Sequence, residues 1–173
     1  WALPPFIWDS LTYHLTNVAH WIQVGRIETF VTPIDRIYTP ANYEVLASWF
    51  AVFLHHDVVV EAANLPAYAL IGLSAYALAR GLGLSGSSSW IVSVEHLSAL
   101  AGVFGATGTK NDPLVAAIFL LSMTLVLHLR RNLGKGEARP VSYAIVLALG
   151  LLYSLGTEAY ILHLAPGLAV AAL

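Results

Sequence analysis

Two short polar clusters in an otherwise apolar chain carry residue types suited to chemistry. The first is Trp8-Asp9-Ser10-Leu11-Thr12-Tyr13-His14-Leu15, and the second is Thr109-Lys110-Asn111-Asp112-Pro113. Asp9 is a carboxylate able to take a proton from a hydroxyl nucleophile. Aspartate is also a preferred helix N-cap, and the two roles are compatible, because a capped carboxylate is an oriented one. Lys110 sets a cation beside Asp112 at a helix start, an arrangement suited to a phosphate or a metal-bound diphosphate. The structural alternative is that Asp112 caps the helix opened by Pro113, with Gly108 and Asn111 making the turn.

Other polar residues are less pointed. Glu61, Glu95 and Glu158 lie in or beside apolar runs, where a buried carboxylate is costly and invites a functional reading. Glu61 and Glu158 are expected to reach an aqueous boundary. Glu95, beside His96, lies deeper in its run and needs a polar partner or a neutral state. His55-His56-Asp57 has metal-binding residue types, but adjacent positions on a helix point in different directions, so a polar interfacial patch is the expected role. His14 and His20 share a helix at a spacing that makes no ligand pair. No residue is cysteine, which removes disulfide, zinc–thiolate and thiol-nucleophile chemistry. A net charge of −2 gives nucleic acid nothing to bind.

The elements that position these residues are helical, and their composition suits a bilayer. Only 10% of the 173 residues are charged and 58% are hydrophobic, against roughly 25% charged in ordinary soluble domains. The mean hydropathy is +0.72. The expected fold is therefore an all-α polytopic membrane protein. Residues 1–57 form a first extracytoplasmic loop with two amphipathic juxtamembrane helices. In one, Leu11, Leu15, Val18 and Ile22 share a face, with Asp9 or Ser10 as cap and Gly25 as terminator. In the other, Thr39 caps, Pro40 opens, and Val45, Leu46, Trp49, Phe50 and Phe53 form the apolar side. Such Trp-rich faces suit the membrane–water boundary. Thr29 to Tyr38 reads as an extended loop around Pro33. Spans are expected at about 58–80, 90–107, 113–129, 141–156 and 159–173, given that a bilayer needs about 20 apolar residues. The start at Trp1 and the end at Leu173 inside an apolar run suggest an excerpt of a longer chain.

Sidedness follows from charge. Arg130, Arg131, Lys135 and Arg139 are half of the eight Lys and Arg residues, and short loops rich in these stay cytoplasmic. Counting spans from that loop sets residues 1–57 and the knot around Asp112 outside, with Arg80 inside. If the fourth run crosses fully, Glu158 is outside as well. Asp9, Lys110 and Asp112 are thus expected at one face.

The same motifs resemble a known family. The segment from Trp8 to Leu15, continued by Val18-Ala19-His20-Trp21 and Gly25, resembles the first large loop of GT-C membrane glycosyltransferases, closest to the protein-mannosyltransferase-like and aminoarabinose-transferase-like bacterial group. Thr109-Lys110-Asn111-Asp112-Pro113-Leu114-Val115-Ala116-Ala117 resembles that group's second signature, and the likeness covers roughly Trp8 to Pro166. It implies an enzyme of the bacterial plasma membrane that moves a sugar from a polyprenyl-phosphate carrier to a lipid, glycan or protein acceptor, with inversion. Asp9 maps onto the presumed base, and Asp112 onto the donor or metal region, since some members use a divalent cation. Lys110 is assigned to the donor phosphate on charge and placement, and Asn111, Tyr13 and His14 are grouped with it on the donor side. The pattern departs at Leu155-Gly156-Thr157-Glu158-Ala159, where many relatives carry a lysine.

Two other classes fit the composition. A transporter or flippase without catalysis would use Glu95 and the interruptions at Gly156-Thr157-Glu158 and Pro166-Gly167 as a substrate pathway. An assembly subunit would use every polar residue as a cap or anchor. The large amphipathic outer segment favours an enzyme, because a reaction at the membrane boundary needs a roofed site.

Overall fold

A computed structural model describes residues 7–53, 57, 59–99, 108–134 and 140–157. Among them the regular structure is helical and there is no strand. A π-helical turn, Ser10–His14, leads into α1 (Leu15–Val24), which ends at Gly25 in the left-handed region, φ 72°. The Gly25 N–H donates to the Trp21 carbonyl at 2.9 Å. This is the expected terminator, and glycine holds that conformation without a Cβ penalty. The Trp21 indole N–H donates to the Glu28 carbonyl at 2.7 Å and folds the following loop back on the helix. A 3-10 turn, Asp35–Tyr38, interrupts the stretch expected to be extended.

The second amphipathic helix, α2 (Asn42–Val52), starts later than Pro40. The Thr39 hydroxyl bonds the Arg36 carbonyl at 2.7 Å, so Thr39 closes the 3-10 turn instead of capping α2. Its faces divide by residue size. Tyr43, Ala47 and Ala51 are buried with Glu44, whereas Trp49 and Phe53 are 63% and 71% exposed and stack on each other at 5.8 Å. The small alanines let α2 approach its neighbours closely, and the large rings are left outward.

Val60–Asn64 is a 3-10 turn running into α3 (Leu65–Gly81), followed by α4 (Gly86–Ser98), α5 (Asp112–Gly134) and α6 (Pro140–Leu155). Two of the expected spans, as Val60–Gly81 and Asp112–Asn132, are long and apolar enough to cross a membrane by length and composition. α4 begins earlier than expected because the Ser85 hydroxyl accepts from the Ser88 N–H at 3.1 Å, an N-cap. It ends at Ser98, and most of the remainder of that expected span, with all of 159–173, lies outside the described residues. Glu95 stands on the exposed face of α4 with Trp90, Ile91 and Val94. Glu61 is buried, 3% exposed, at the start of the Val60–Gly81 span.

Close contacts fix the helix directions. The Thr124 hydroxyl donates to the Ser74 carbonyl at 3.2 Å, and a Cβ on Gly81 would come within 2.7 Å of Leu127, so α3 and α5 run parallel. α4 returns along α3, with the Ser93 hydroxyl on the Gly72 carbonyl at 2.8 Å. α6 returns along α5, bringing Gly150 against Ile118 and Ser122. The starts of α3 and α5 and the end of α6 therefore share one end of the bundle. α1 and α2 pack on that end through a core containing Val18, Tyr43, Ala47, Val60, Ala63, Ala67, Leu114 and Ala117. Arg130 lies about 27 Å from Asp112 along α5, at 1.5 Å per residue, toward the opposite end.

Candidate functional site

The polar knot that opens α5 is tied down from three directions. The Ser10 hydroxyl donates to the Thr109 carbonyl at 2.9 Å, and the Asn64 amide donates to the Gly108 carbonyl at 2.6 Å. The Asn111 amide donates to the Thr157 carbonyl at 3.1 Å. Ser10, Asn64, Thr109, Asn111 and Thr157 are all buried, so these bonds form out of water, where an unpaired carbonyl is costly. The Asn111 carbonyl accepts from Leu114 and Val115 N–H, which makes Asn111 the residue that begins the helix. Asp112 is thus the first helical residue, and it is exposed.

Asp9 is not an N-cap. Its own backbone is helical, φ −61° and ψ −39°, and its side chain makes no capping bond. The carboxylate instead faces two cations. Oδ2 lies 3.1 Å from Lys110 Nζ, and Oδ1 lies 3.6 Å from an Arg36 guanidinium nitrogen. Arg36 also lies over the Tyr13 ring, 5.6 Å from its centre. The Tyr13 hydroxyl and the Asp9 charge hold the Arg36 guanidinium even above its usual range. These groups are partly exposed, so the ion pairs matter more as orientation than as stability.

Asp9, Tyr13, His14, Arg36, Thr39, Lys110, Asn111 and Asp112 line one polar cavity of about 370 Å³, within the roughly 300–1,000 Å³ of small-molecule sites. All six residues expected at a site are among them. Arg36, Thr39 and, behind the wall, Glu44 were not anticipated. Arg36 and Thr39 sit in a segment read as a plain loop, although an arginine on an acidic outer face was a usable signal. Glu44 was a lone charge in an apolar helix.

The chain matches no family model, no curated protein and no solved structure.

What the pocket can do therefore rests on its own residues. Two carboxylates and two cations line it, enough to bind an anion and take up a proton in the same space. A metal fits less well: no group of three or more His, Asp or Glu converges among the described residues, which leaves Asp112 without a ligand set there. His55 and His56 lie outside the described residues, as does Glu158. Asp57 lines a separate apolar cavity with Leu15, Val18 and Ile22. Lys110 is engaged with Asp9, so a phosphate it binds lies beside that carboxylate.

Proposed function

We propose that this chain belongs to a multi-pass membrane glycosyltransferase of GT-C type, which moves a sugar from a polyprenyl-phosphate carrier to an acceptor hydroxyl at the extracytoplasmic face of a bacterial plasma membrane. The observation that carries the reading is the convergence of Asp9 with Lys110, from the two family-like motifs, in one polar cavity at the end of two membrane-length helices. The acceptor oxygen bonds to the anomeric carbon on the face opposite the phosphate, and the proton passes to Asp9. The carbon–oxygen bond to the phosphate breaks, and its electron pair stays on the phosphate oxygen. Lys110 and Arg36 stabilise that developing charge as they move from Asp9 to the phosphate. A phosphate leaving group is acidic enough to need no separate proton donor.

The decisive experiment incubates the full-length protein with a panel of polyprenyl-phosphate sugars and seeks a glycosylated product, alongside Asp9→Asn. Turnover by wild type and its loss in the variant are expected. Near-wild-type turnover in the variant would remove Asp9 as the base, and no product with any carrier would remove the enzyme.

A further inference from the structure

The outer face of α4 carries an ionisable group at a depth where lipid offers it no partner. Ser89 and Ser93 are buried on the opposite side, toward α3. The Ser93 hydroxyl on the Gly72 carbonyl sets that point of α4 level with the middle of the membrane-length Val60–Gly81 helix. Glu95 lies two residues further on, about 3 Å along the axis, and is exposed. Its carboxyl makes no hydrogen bond or ion pair among the described residues. An ionisable side chain at such a depth is costly and turns to a polar partner within protein.

The same face has the spacing of a helix–helix seam. Ser87, Ile91, Val94 and Ser98 recur at intervals of four, three and four, the a and d positions of a heptad. All are exposed, Ile91 and Val94 by 67% and 57%. Trp90 and Glu95 flank the seam as its g and e positions, and with Ile91, Val94 and Ser98 they line a shallow hollow of about 440 Å³. The Trp90 ring is steadied by Tyr76 of α3, 4.8 Å between centres. Its indole N–H, a donor only, has no acceptor among the described residues.

We propose that this face is a dimer interface, on which α4 of a second copy of the chain packs about a two-fold axis along the membrane normal. Copies inserted in one membrane share an orientation, so the two α4 helices run parallel and residues meet at like depth. In a parallel heptad pair, a g position lies beside the e position of the following heptad on the other helix. Trp90 of each copy therefore meets Glu95 of the other, and the contact occurs twice, as an isologous interface requires. The indole donates to a carboxylate oxygen and equally to the carbonyl oxygen of the neutral acid, so the match holds in either protonation state. Lipid tails supply no such donor. The small side chains of Ser87 and Ser98 allow close approach. The inference goes beyond the proposed chemistry and rests only on its membrane part.

Cross-linking of the full-length protein in membranes, on a cysteine-free background, tests the interface. Ile91→Cys and Val94→Cys, oxidised with copper phenanthroline, are expected to give a disulfide-linked dimer. Leu149→Cys, at a position 61% exposed on α6, is expected to give none. Energy transfer between labelled copies, diluted stepwise in lipid vesicles, then measures self-association. Trp90→Phe and Glu95→Leu are each expected to weaken it about five- to tenfold, and the double variant no further. Glu95→Gln keeps a carbonyl acceptor and should stay within about twofold of wild type. No dimer at the α4 positions, the result if another helix of the chain covers this face, overturns the interface, as does equal cross-linking at Leu149. Additive losses, or none, overturn the contact between Trp90 and Glu95. Release of the protein by alkaline carbonate overturns the membrane reading and the interface with it. Carrier binding by the same preparation reads the glycosyltransferase proposal separately.

Discussion

The Asp9 carboxylate lies 3.1 Å from the Lys110 ammonium, although α1, α2, α3 and α4 all separate them in sequence. The helix order produces this meeting. Parallel α3 and α5 begin at one end of the bundle, and Asn64 at the start of one holds the carbonyl of Gly108 before the other. The Ser10 hydroxyl then docks the first motif on Thr109.

Removing the carboxylate has opposite effects on binding and on turnover. Asp9→Asn frees Lys110 and Arg36, so affinity for bare polyprenyl phosphate should stay level or rise a few-fold. Turnover should fall by about 10²–10⁴, the usual worth of a positioned base. Equilibrium binding and single-turnover kinetics on the same preparation separate the two.

Losing either cation should act on the phosphate. Lys110→Ala and Arg36→Ala are each expected to weaken bare and sugar-loaded carrier alike, by about three- to tenfold, given partial exposure of the pairs. The losses should shrink as salt rises. A salt titration of carrier affinity reads this directly.

The knot should be sensitive to its buried amide. Asn64→Ala leaves the buried Gly108 carbonyl without its partner and should cost about 1–3 kcal/mol, whereas Thr12→Ala removes only an exposed bond to the Trp8 carbonyl and should change little. Thermal unfolding in detergent compares them.

Gly156 should resist even a methyl group. A Cβ there would overlap the Asn42 side-chain amide, whose Nδ2 donates to the Tyr153 carbonyl at 3.1 Å. Gly156→Ala is expected to displace the Asn42 amide and lose that exposed bond, at a cost of about 1 kcal/mol. Adding Asn42→Ala to Gly156→Ala, to relieve the clash, should recover part of the loss.

Sidedness is directly testable, because none of the 173 residues is cysteine. Val31→Cys, at a fully exposed position on the pocket side, should react with an impermeant maleimide from outside intact spheroplasts. Arg131→Cys should react only after permeabilisation. Labelling of both from one side would end the membrane topology argued from charge.

Much of this arrangement was legible in the sequence, for identifiable reasons. Long apolar runs bounded by Arg80, Asp112 and Arg130 give the existence and order of α3 and α5, with one end of each within a residue. The start of α3 and the end of α5 are displaced by several residues. Gly25 marks the end of α1 because glycine holds the left-handed turn there. The six site residues were legible because they are polar in an apolar chain. Trp49 and Phe53 of α2 stand outward, but apolar periodicity did not show that Tyr43, Ala47 and Ala51 are the residues packed on the bundle. Arg36 carried a usable signal, but its place in the cavity depends on the 3-10 turn Asp35–Tyr38, which left no pattern in a stretch read as extended. The π-helical turn was hidden for the same reason, because it follows from the docking of Ser10 and His14 against other elements.

The bonds that tie the knot also give the cavity two unlike sides. The Gly108 and Thr109 carbonyls are held by the buried Asn64 and Ser10 side chains, and the buried Asn111 amide reaches the Thr157 carbonyl just past α6. Arg36 stands opposite on a short turn held by exposed bonds. Local opening is cheapest where such bonds face solvent. A ligand in this cavity thus meets a stiff frame on the knot side and a less firmly held turn on the other.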